Sequence, residues 1–208
     1  MIDVDDHTAD LRRAYDRDAA RRDAREPEPW RLGIVDDFVA RVVPGARTGH
    51  VLELGCGTGQ VAHRLVRAGL TVTAVDLSPT STAYAVARGV AALAADFARL
   101  PFRPCAFGGA LAFNSLLHVP RADLPRQFAE IRRVLALDAV LLTVTWGGRT
   151  VEGTLPYEWL DPPRYVSLLD DEDLAAVPTP GFARIELRTL AVPGGAGLHP
   201  QVLLLAAV

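Results

Sequence analysis

A glycine-rich motif in the first third of the chain is of the kind that lets a backbone approach a bound ligand. Residues 51–59 read VLELGCGTG, an apolar run followed by glycines at positions 55, 57 and 59. Glycine accepts a positive φ and carries no Cβ to collide with a ligand. A helix beginning near Gln60 would direct its free N–H groups at the same point. The pattern predicts a pocket for an adenosine-containing cofactor. The alternative is a tight turn that needs glycine only for steric reasons.

A carboxylate follows this motif at the spacing expected for ribose recognition. The apolar run 70–75 ends on Asp76, roughly 20 residues after the glycines. A carboxylate there can accept hydrogen bonds from both ribose hydroxyls. Its alternative role is to cap the helix that begins near Pro79, a role that Ser78 fills at least as well. A dinucleotide-binding turn would carry its third glycine at position 60, where this chain has Gln60. NAD is therefore the second choice of cofactor.

Strand and helix patterns alternate through the middle of the chain, and this alternation would position both motifs. Apolar runs predict strands at 51–54, 71–75, 91–95, 109–113 and 140–145, and helices at 60–68, 79–88 and 121–136. Such alternation predicts an α/β fold with helices on both faces of a parallel sheet. Helices are also predicted at 10–25, 30–43 and 170–177. The last two apolar runs, 182–192 and 201–208, have a connection too short for a parallel crossover, so the final strand should be antiparallel.

Composition limits the classes of function. The 208 residues suit one domain, and half of them are hydrophobic. All 22 basic residues are arginine, which excludes a Schiff-base lysine and a P-loop lysine. Arginine and aspartate alternate through residues 10–25, which predicts a solvated helix with i,i+4 ion pairs. The net charge of −3 argues against a nucleic-acid partner, and no run is apolar and long enough to span a bilayer, so we expect a cytoplasmic protein without a membrane partner.

Taken together, these motifs resemble those of the class I S-adenosylmethionine-dependent methyltransferases, and most closely the small bacterial enzymes with methyltransferase domain 25. VLELGCGTG is similar to the first family motif, AVDLSP to the second, AADFARLPF to the third and ALAFNSLLHVPRADLP to the fourth. The resemblance implies one domain over residues 1–208, a Rossmann-like three-layer sandwich, and a seven-stranded sheet of order 3-2-1-4-5-7-6 with antiparallel strand 7. It also implies that residues 1–45 form a helical lid and 146–170 an insertion on the substrate side.

The resemblance further implies roles for single residues around S-adenosylmethionine. Glu53 and Asn114 would lie near the methionyl ammonium, Asp76 would hold the ribose, and Asp96 with the Phe97 N–H would bind the adenine edge. The alternatives are a turn anchor for Glu53, a loop cap for Asp96 and simple packing for Tyr15. The predicted cofactor-binding set is Tyr15, Glu53, Gly55, Cys56, Gly57, Gly59, Asp76, Leu77, Asp96, Phe97 and Asn114.

Methyl transfer from a sulfonium requires alignment and a dry pocket more than it requires a base. For a phenol or alcohol as methyl acceptor, His118 is the candidate base because it follows the fourth strand on the cofactor side. Aromatic residues are concentrated in the segment after the fifth strand, which predicts an apolar or planar small molecule as substrate. The residues are Trp146, Tyr157, Trp159 and Tyr165. No metal ligand set is evident, and a monomer or homodimer is expected.

Two departures from the family pattern motivate a different class of function. Phe107-Gly108 stands where the family has Phe-Asp, and residues 137–139 replace the usual Lys-Pro-Gly-Gly. A non-catalytic partner subunit of the same fold is therefore the first alternative, and an NAD-dependent oxidoreductase is the second. The second aromatic residue expected after Tyr15 is replaced by Arg22, so the lid should close differently.

Overall fold

A central β-sheet carries the site-forming loops of the chain. The computed structural model describes residues 4–45, 49–155, 158–192 and 197–208. The strands are β1 (His50–Leu54), β2 (Thr71–Asp76), β3 (Ala91–Ala94), β4 (Phe107–Phe113), β5 (Leu135–Gly147), β6 (Val151–Thr154), β7 (Tyr165–Leu168), β8 (Phe182–Thr189) and β9 (His199–Ala207). The helices are α1 (Val4–Asp23), α2 (Pro29–Gly45), α3 (Gln60–Arg67), α4 (Pro79–Ala87), α5 (Leu124–Val134) and α6 (Asp171–Ala176). Short 3-10 helices occupy Leu116–His118 and Arg121–Asp123.

In the described residues, strands of the large sheet follow the order β3-β2-β1-β4-β5-β9-β8. β1 pairs in parallel with both β2 and β4, whereas β9 pairs antiparallel with both β5 and β8. Counted along the chain within this sheet, the strands have the predicted order 3-2-1-4-5-7-6, and the antiparallel last strand is confirmed. The labels differ from the prediction only because β6 and β7 form a separate two-stranded hairpin between β5 and β8.

The hydrophobic core lies on both faces of this sheet. Alternate residues of β1 divide between the two layers, with Val51 on the side of Phe38 and Leu65 and Leu52 on the side of Phe128. The alternation follows from the two-residue repeat of a β-strand, which directs successive side chains to opposite faces. Helices α2, α3 and α4 cover one face and α5 and α6 the other, so the predicted three-layer sandwich is confirmed.

The junction between α5 and β5 differs from the prediction. A single helix was expected over 121–136, but α5 ends at Val134, and Leu135 already pairs with Phe107 of β4. A register shift between Phe107 and Gly109 accommodates Asp138, which has a φ of 63°. The buried residues on either side of the junction fit a helix and a strand equally well. Periodicity alone therefore predicts the end of the helix two residues beyond its observed end.

The start of α1 and one hairpin also differ from the prediction. α1 begins at Val4 rather than at residue 10, and its second turn contacts the 3-10 helix Leu116–His118 through His7. The hairpin β6–β7 was not predicted, since β6 has only four residues and contains Gly153. None of the described helices is long and apolar enough to cross a membrane.

Candidate cofactor and acceptor site

A cavity of about 1080 Å³ opens at the carboxyl ends of β1, β2 and β4, beneath α1. It lies where the strand order reverses on the two sides of β1, the place at which open α/β sheets bind ligands. Cavities that hold one drug-sized ligand measure roughly 300–1,000 Å³. This cavity is therefore large enough for a cofactor and a small second molecule.

The three glycines of the β1–α3 turn all have positive φ, but they serve different purposes. A Cβ at Gly55 would lie 2.3 Å from the Cβ of Ser115, and one at Gly59 would lie 2.6 Å from the Cβ of Ala85. A Cβ at Gly57 would meet nothing within 4 Å, because this residue faces the open cavity. Gly59 does not border the cavity, so its expected cofactor role is replaced by close packing of α3 against α4.

Asp76 lies at the end of β2, with a buried carboxylate directed at the glycine turn. Its Oδ2 accepts a hydrogen bond from the Gly57 N–H at 2.7 Å, and its Oδ1 accepts one from the Ser78 N–H at 2.9 Å. Burial raises the pKa of this carboxyl group. The helix-cap alternative is wrong for Asp76, since the Ser78 hydroxyl caps α4 by accepting from the Ser81 N–H at 3.0 Å. Each carboxylate oxygen keeps acceptor capacity for a ligand hydroxyl.

Two buried oxygen atoms at the cavity wall have no donor. Glu53 Oε2 and Asn114 Oδ1 form no hydrogen bond with any described residue, although both are shielded from solvent. Buried polar atoms are normally paired, and both residues border the cavity, so the two oxygens are available to a ligand with N–H groups. Burial, with a smaller effect of Asp76, raises the pKa of Glu53 to about 8. Asn114 has a φ of 54°, a strained conformation of a kind that clusters at functional sites.

The predicted adenine-binding residues lie together on the opposite side of the cavity. Leu77, Asp96 and Phe97 all border it. Asp96 Oδ1 accepts a hydrogen bond from the Ala98 N–H at 2.8 Å, which leaves Oδ2 available. The Phe97 carbonyl accepts from Gln127 Nε2 at 2.8 Å, so Gln127 holds this loop against α5.

Cys56, the remaining residue of the glycine turn, also borders the cavity. It is buried, and burial raises the pKa of its thiol. A thiol that resists ionisation is a weak nucleophile, so Cys56 serves as a small wall residue. Among the described residues, no three His, Cys, Asp or Glu side chains are grouped as a metal site.

His118 is held by protein groups on both ring nitrogens. Nδ1 lies 2.8 Å from the Tyr165 carbonyl oxygen, and Nε2 lies 2.6 Å from the Tyr15 hydroxyl oxygen. Burial lowers the pKa of His118 to about 3, assisted by the charges of Arg164 and Arg22. The ring is therefore neutral near pH 7 and has no nitrogen left for a ligand. This geometry argues against the expected role of His118 as the base that contacts the acceptor.

The aromatic residues predicted for the substrate side divide into two groups. Trp146 and Trp159 border the cavity. Tyr165 does not, because its hydroxyl donates to Glu152 Oε1 at 2.9 Å and its ring packs edge-on against His7. Tyr157 lies outside the described residues. The apolar wall at this end consists of Phe113, Leu117, Trp146, Leu155, Val166, Leu168 and Leu198.

Two partly buried arginines border the same cavity and were not predicted. The Arg31 guanidinium lies 5.0 Å from the centre of the Phe113 ring and pairs with Glu28 at 2.7 Å. Arg164 pairs with Glu158 at 2.9 Å and donates to the Tyr15 hydroxyl oxygen at 3.2 Å. Sequence reasoning missed them because an arginine beside an acidic residue usually marks a solvated surface.

Helix α1 covers the cavity and is attached on two sides. Asp16 Oδ1 accepts from the Ser78 hydroxyl at 2.6 Å and from the Thr80 N–H at 3.1 Å, which joins α1 to the start of α4. Arg17 pairs with Asp161 at 2.6 Å, which joins α1 to the segment after β6. The helix that composition predicted to be solvated thus has an inner face that covers the cavity.

Comparison with known proteins agrees with this fold. Residues 51–138 match the family model of a methyltransferase domain. A ubiquinone biosynthesis O-methyltransferase of Xanthomonas campestris pv. campestris is 38% identical over 79 residues, which are 38% of this chain and 31% of that enzyme. The match thus spans about a third of the curated relative.

Solved structures resemble nearly the whole chain. Magnesium protoporphyrin IX methyltransferase of Synechocystis PCC 6803, with bound S-adenosylhomocysteine, superposes with a TM-score of 0.71 at 16% identity, over 97% of this chain and 100% of that one. The 1,6-didemethyltoxoflavin-N1-methyltransferase of Burkholderia thailandensis gives 0.63 at 21% identity, over 89% and 92%. At these identities the likeness establishes the fold. Residues 51–138 thus resemble a methyltransferase domain, and the chain shares the fold of these two methyltransferases.

Proposed function

We propose that this chain binds S-adenosylmethionine and transfers its methyl group to a small molecule. The observation that carries the proposal is the pair of unpaired oxygens, Glu53 Oε2 and Asn114 Oδ1, at the end of the cavity next to the glycine turn. An ammonium group carries several N–H donors and a positive charge, so it would satisfy both oxygens and stabilise the Glu53 carboxylate. Residues Asp76, Asp96 and Phe97 line the remaining length of the cavity, where the adenosine would extend.

Arg31 is the residue we assign to the methionyl carboxylate. Its guanidinium lies beside Phe113, which directly precedes Asn114. Only Glu28 is ion-paired with it among the described residues, through Nε, so its two terminal nitrogens can donate to a carboxylate in a bidentate pair. An ammonium at Asn114 and a carboxylate at Arg31 would be neighbours, as they are in an amino acid.

The bound cofactor supplies an electrophilic methyl group on a sulfonium. The chain's own residues would then orient the cofactor, exclude water and hold the acceptor in line. The apolar wall around Trp146 and Leu168 suits a planar or apolar acceptor, and α1 would close the cavity over it. We retain one domain over residues 1–208, a lid within residues 1–45 and a substrate-side insertion at 146–170 as parts of this proposal.

Calorimetry with three ligands tests the proposal. S-Adenosylhomocysteine should bind, and 5′-methylthioadenosine, which lacks the ammonium and carboxylate, should bind at least about tenfold more weakly, since charged hydrogen bonds contribute roughly 1.5–3 kcal/mol each. NAD should not bind. Equal affinity for the first two ligands would remove the assignment of Glu53, Asn114 and Arg31. Binding of NAD alone would favour the oxidoreductase alternative, and binding of none would favour a non-catalytic subunit.

A further inference from the structure

The polar end of the acceptor side is a chain of four side chains. Glu158 pairs with Arg164 at 2.9 Å, Arg164 donates to the Tyr15 oxygen at 3.2 Å, and the Tyr15 oxygen lies 2.6 Å from His118 Nε2. The Glu158 carboxylate is nearly inaccessible, with 2% of the side chain exposed. Tyr15, His118 and Arg164 all border the cavity, beside the apolar wall.

The direction of the hydrogen bonds among these four side chains follows from the partner of His118. The Tyr165 carbonyl can only accept, so the proton of the neutral His118 ring stands on Nδ1. Nε2 is then an acceptor, and the Tyr15 hydroxyl must donate to it. The Tyr15 hydrogen is therefore committed to His118, so the Tyr15 oxygen can only accept a hydrogen bond from a ligand.

The charge of Arg164 determines which kind of ligand donor the Tyr15 oxygen favours. Its Nε and one terminal nitrogen serve Glu158, and the other terminal nitrogen bonds to Tyr15. The guanidinium thus lies beside the position of a donor atom bound to Tyr15, and a second guanidinium, that of Arg22, lies 4.5 Å from the Tyr15 ring. A nearby cation stabilises negative charge on the atom that donates the hydrogen bond. An acidic O–H group develops more of this charge than an N–H group does, so the site favours the O–H donor.

We propose that Tyr15 is the acceptor-binding residue of this site, and that the acceptor is an apolar aromatic compound with an acidic O–H group, a phenol or an aromatic acid. Its O–H would donate to the Tyr15 oxygen while its ring packs on the wall formed by residues such as Trp146 and Leu168. The inference rests on the proposed function and adds the class of acceptor. It also assigns Tyr15 to the acceptor rather than to the cofactor.

Three matched probes test the inference: 2-naphthol, 2-naphthylamine and 2-methoxynaphthalene, which share one ring system and differ in a single group. Binding to the protein saturated with S-adenosylhomocysteine would be measured by ligand-observed NMR. We expect 2-naphthol to bind about tenfold more tightly than the ether, the difference of one hydrogen bond with a charged neighbour, and more tightly than the amine. In Tyr15→Phe the difference between naphthol and ether should fall to about twofold or less.

Tyr84→Phe is the matched control, because Tyr84 lies on α4 and does not border the cavity, and it should keep the wild-type order of affinities. Affinity for S-adenosylhomocysteine should stay within about twofold in Tyr15→Phe, the change expected if no hydrogen bond to the cofactor is lost. A tenfold loss of that affinity without faster amide exchange in α1 would return Tyr15 to the cofactor site and overturn the inference.

A preference for the amine, or no preference for naphthol up to its solubility limit, would also overturn it. Failure of the wild-type protein to bind S-adenosylhomocysteine at all would instead refute the proposed function, so the two failures are distinguishable.

Discussion

At the scale of single residues, the cavity is defined by groups that the folded chain leaves without partners. Glu53 Oε2 and Asn114 Oδ1 lack donors, while Asp76 is fully oriented by the N–H groups of Gly57 and Ser78. Unpaired buried oxygens cost free energy, which a ligand with matching donors recovers on binding. The cavity thus combines a carboxylate fixed by two backbone N–H groups with two oxygens available to a cationic group.

Gly57→Val should abolish binding of S-adenosylhomocysteine while the chain remains folded. A Cβ at Gly57 would enter open cavity space, so the side chain would occupy the volume of the ligand rather than clash with the protein. The φ of 53° adds strain, because a β-branched residue rarely adopts it. Calorimetry measures the affinity, and circular dichroism checks the fold.

Gly69→Val is the matched control for that variant. Gly69 also has a positive φ, of 90°, and a Cβ there would meet nothing within 4 Å, but it lies outside the cavity. The control carries at least as much backbone strain and should bind S-adenosylhomocysteine like the wild type. Equal binding by both variants would show that the glycine turn has only a structural role.

Binding of S-adenosylhomocysteine should strengthen as the pH rises from 6 to 8. The pKa of Glu53 is about 8 in the free protein, so the carboxyl group is mostly protonated at pH 6 and must lose its proton to pair with an ammonium. Linkage then predicts a gain of up to about tenfold in affinity per pH unit below that pKa, with release of one proton. Calorimetry in buffers of different ionisation enthalpy measures the proton directly.

Two comparisons isolate Glu53 in that experiment. Glu53→Gln and the ligand 5′-methylthioadenosine each remove one partner of the pair, so both should give a flat pH profile.

The raised pKa of Glu53 also affects stability. A carboxyl group whose pKa is raised from 4.5 to about 8 on folding lowers the free energy of unfolding as pH rises through that window. The free energy of unfolding of Glu53→Gln should therefore change less between pH 5 and 8 than that of the wild type, and an unchanged slope would contradict the assignment.

At the scale of elements, the site depends on how α1 is attached. Its side chains reach α4 through Asp16, the segment after β6 through Arg17, and the 3-10 helix after β4 through Tyr15. None of these polar contacts belongs to the central sheet, and the buried residues Ala14 and Ala19 of α1 lie outside the two core clusters on the sheet. We therefore expect α1 to open locally at a lower free-energy cost than the core.

Asp16→Ala should release the cover over the adenosine end of the cavity. It removes two hydrogen bonds to the start of α4, so amide exchange in α1 should accelerate and affinity for S-adenosylhomocysteine should fall about three- to tenfold, as expected for the loss of one or two hydrogen bonds. Hydrogen exchange measured by mass spectrometry, with and without the ligand, follows both effects. Asp10→Ala, which removes only an exposed contact to Arg13 within α1, should leave exchange and affinity unchanged. Unchanged exchange in Asp16→Ala would show that α1 is a fixed wall.

At the scale of the whole molecule, the C-terminal strand holds the sheet together. β9 lies between β5 and β8, and its buried residues belong to both core layers. Arg132 of α5 donates to the Val208 carbonyl at 2.8 Å and to the Gly181 carbonyl at 3.0 Å, which ties the end of the chain to the helix layer. The last strand is thus as central to the core as the strands that carry the site.

The chain should unfold in one cooperative transition, because α2 and β9 pack in the same core layer as β1 and β4. S-Adenosylhomocysteine should raise the free energy of unfolding by about 2.7 kcal/mol at a concentration of 100 times its Kd, as mass action requires. Scanning calorimetry measures both quantities. Two separate transitions would show that residues 1–208 are not one domain, and an unchanged midpoint would show that the ligand does not bind the native state.

The sequence alone determined the sheet and the glycine turn. Strand and helix periodicity gives the order of elements, and the short last connection requires an antiparallel strand. The spacing of the glycines to Asp76 places both at the ends of neighbouring strands. These features depend on local patterns, so a reader of the sequence can recover them. The roles of Gly57 and Gly59 already lie beyond local patterns, since only the packing of α4 distinguishes them.

Tertiary structure alone decided the acceptor side. His118 follows β4 as predicted, but both of its nitrogens are taken up by Tyr15 and Tyr165, which are far from it in sequence. Tyr165 directs its hydroxyl to Glu152, and Arg164 borders the cavity instead. The contacts of Tyr15 with His118 and Arg164 join residues 103 and 149 positions apart. They depend on how α1 and the segment after β6 pack over the sheet, and no local pattern of residue types encodes that packing.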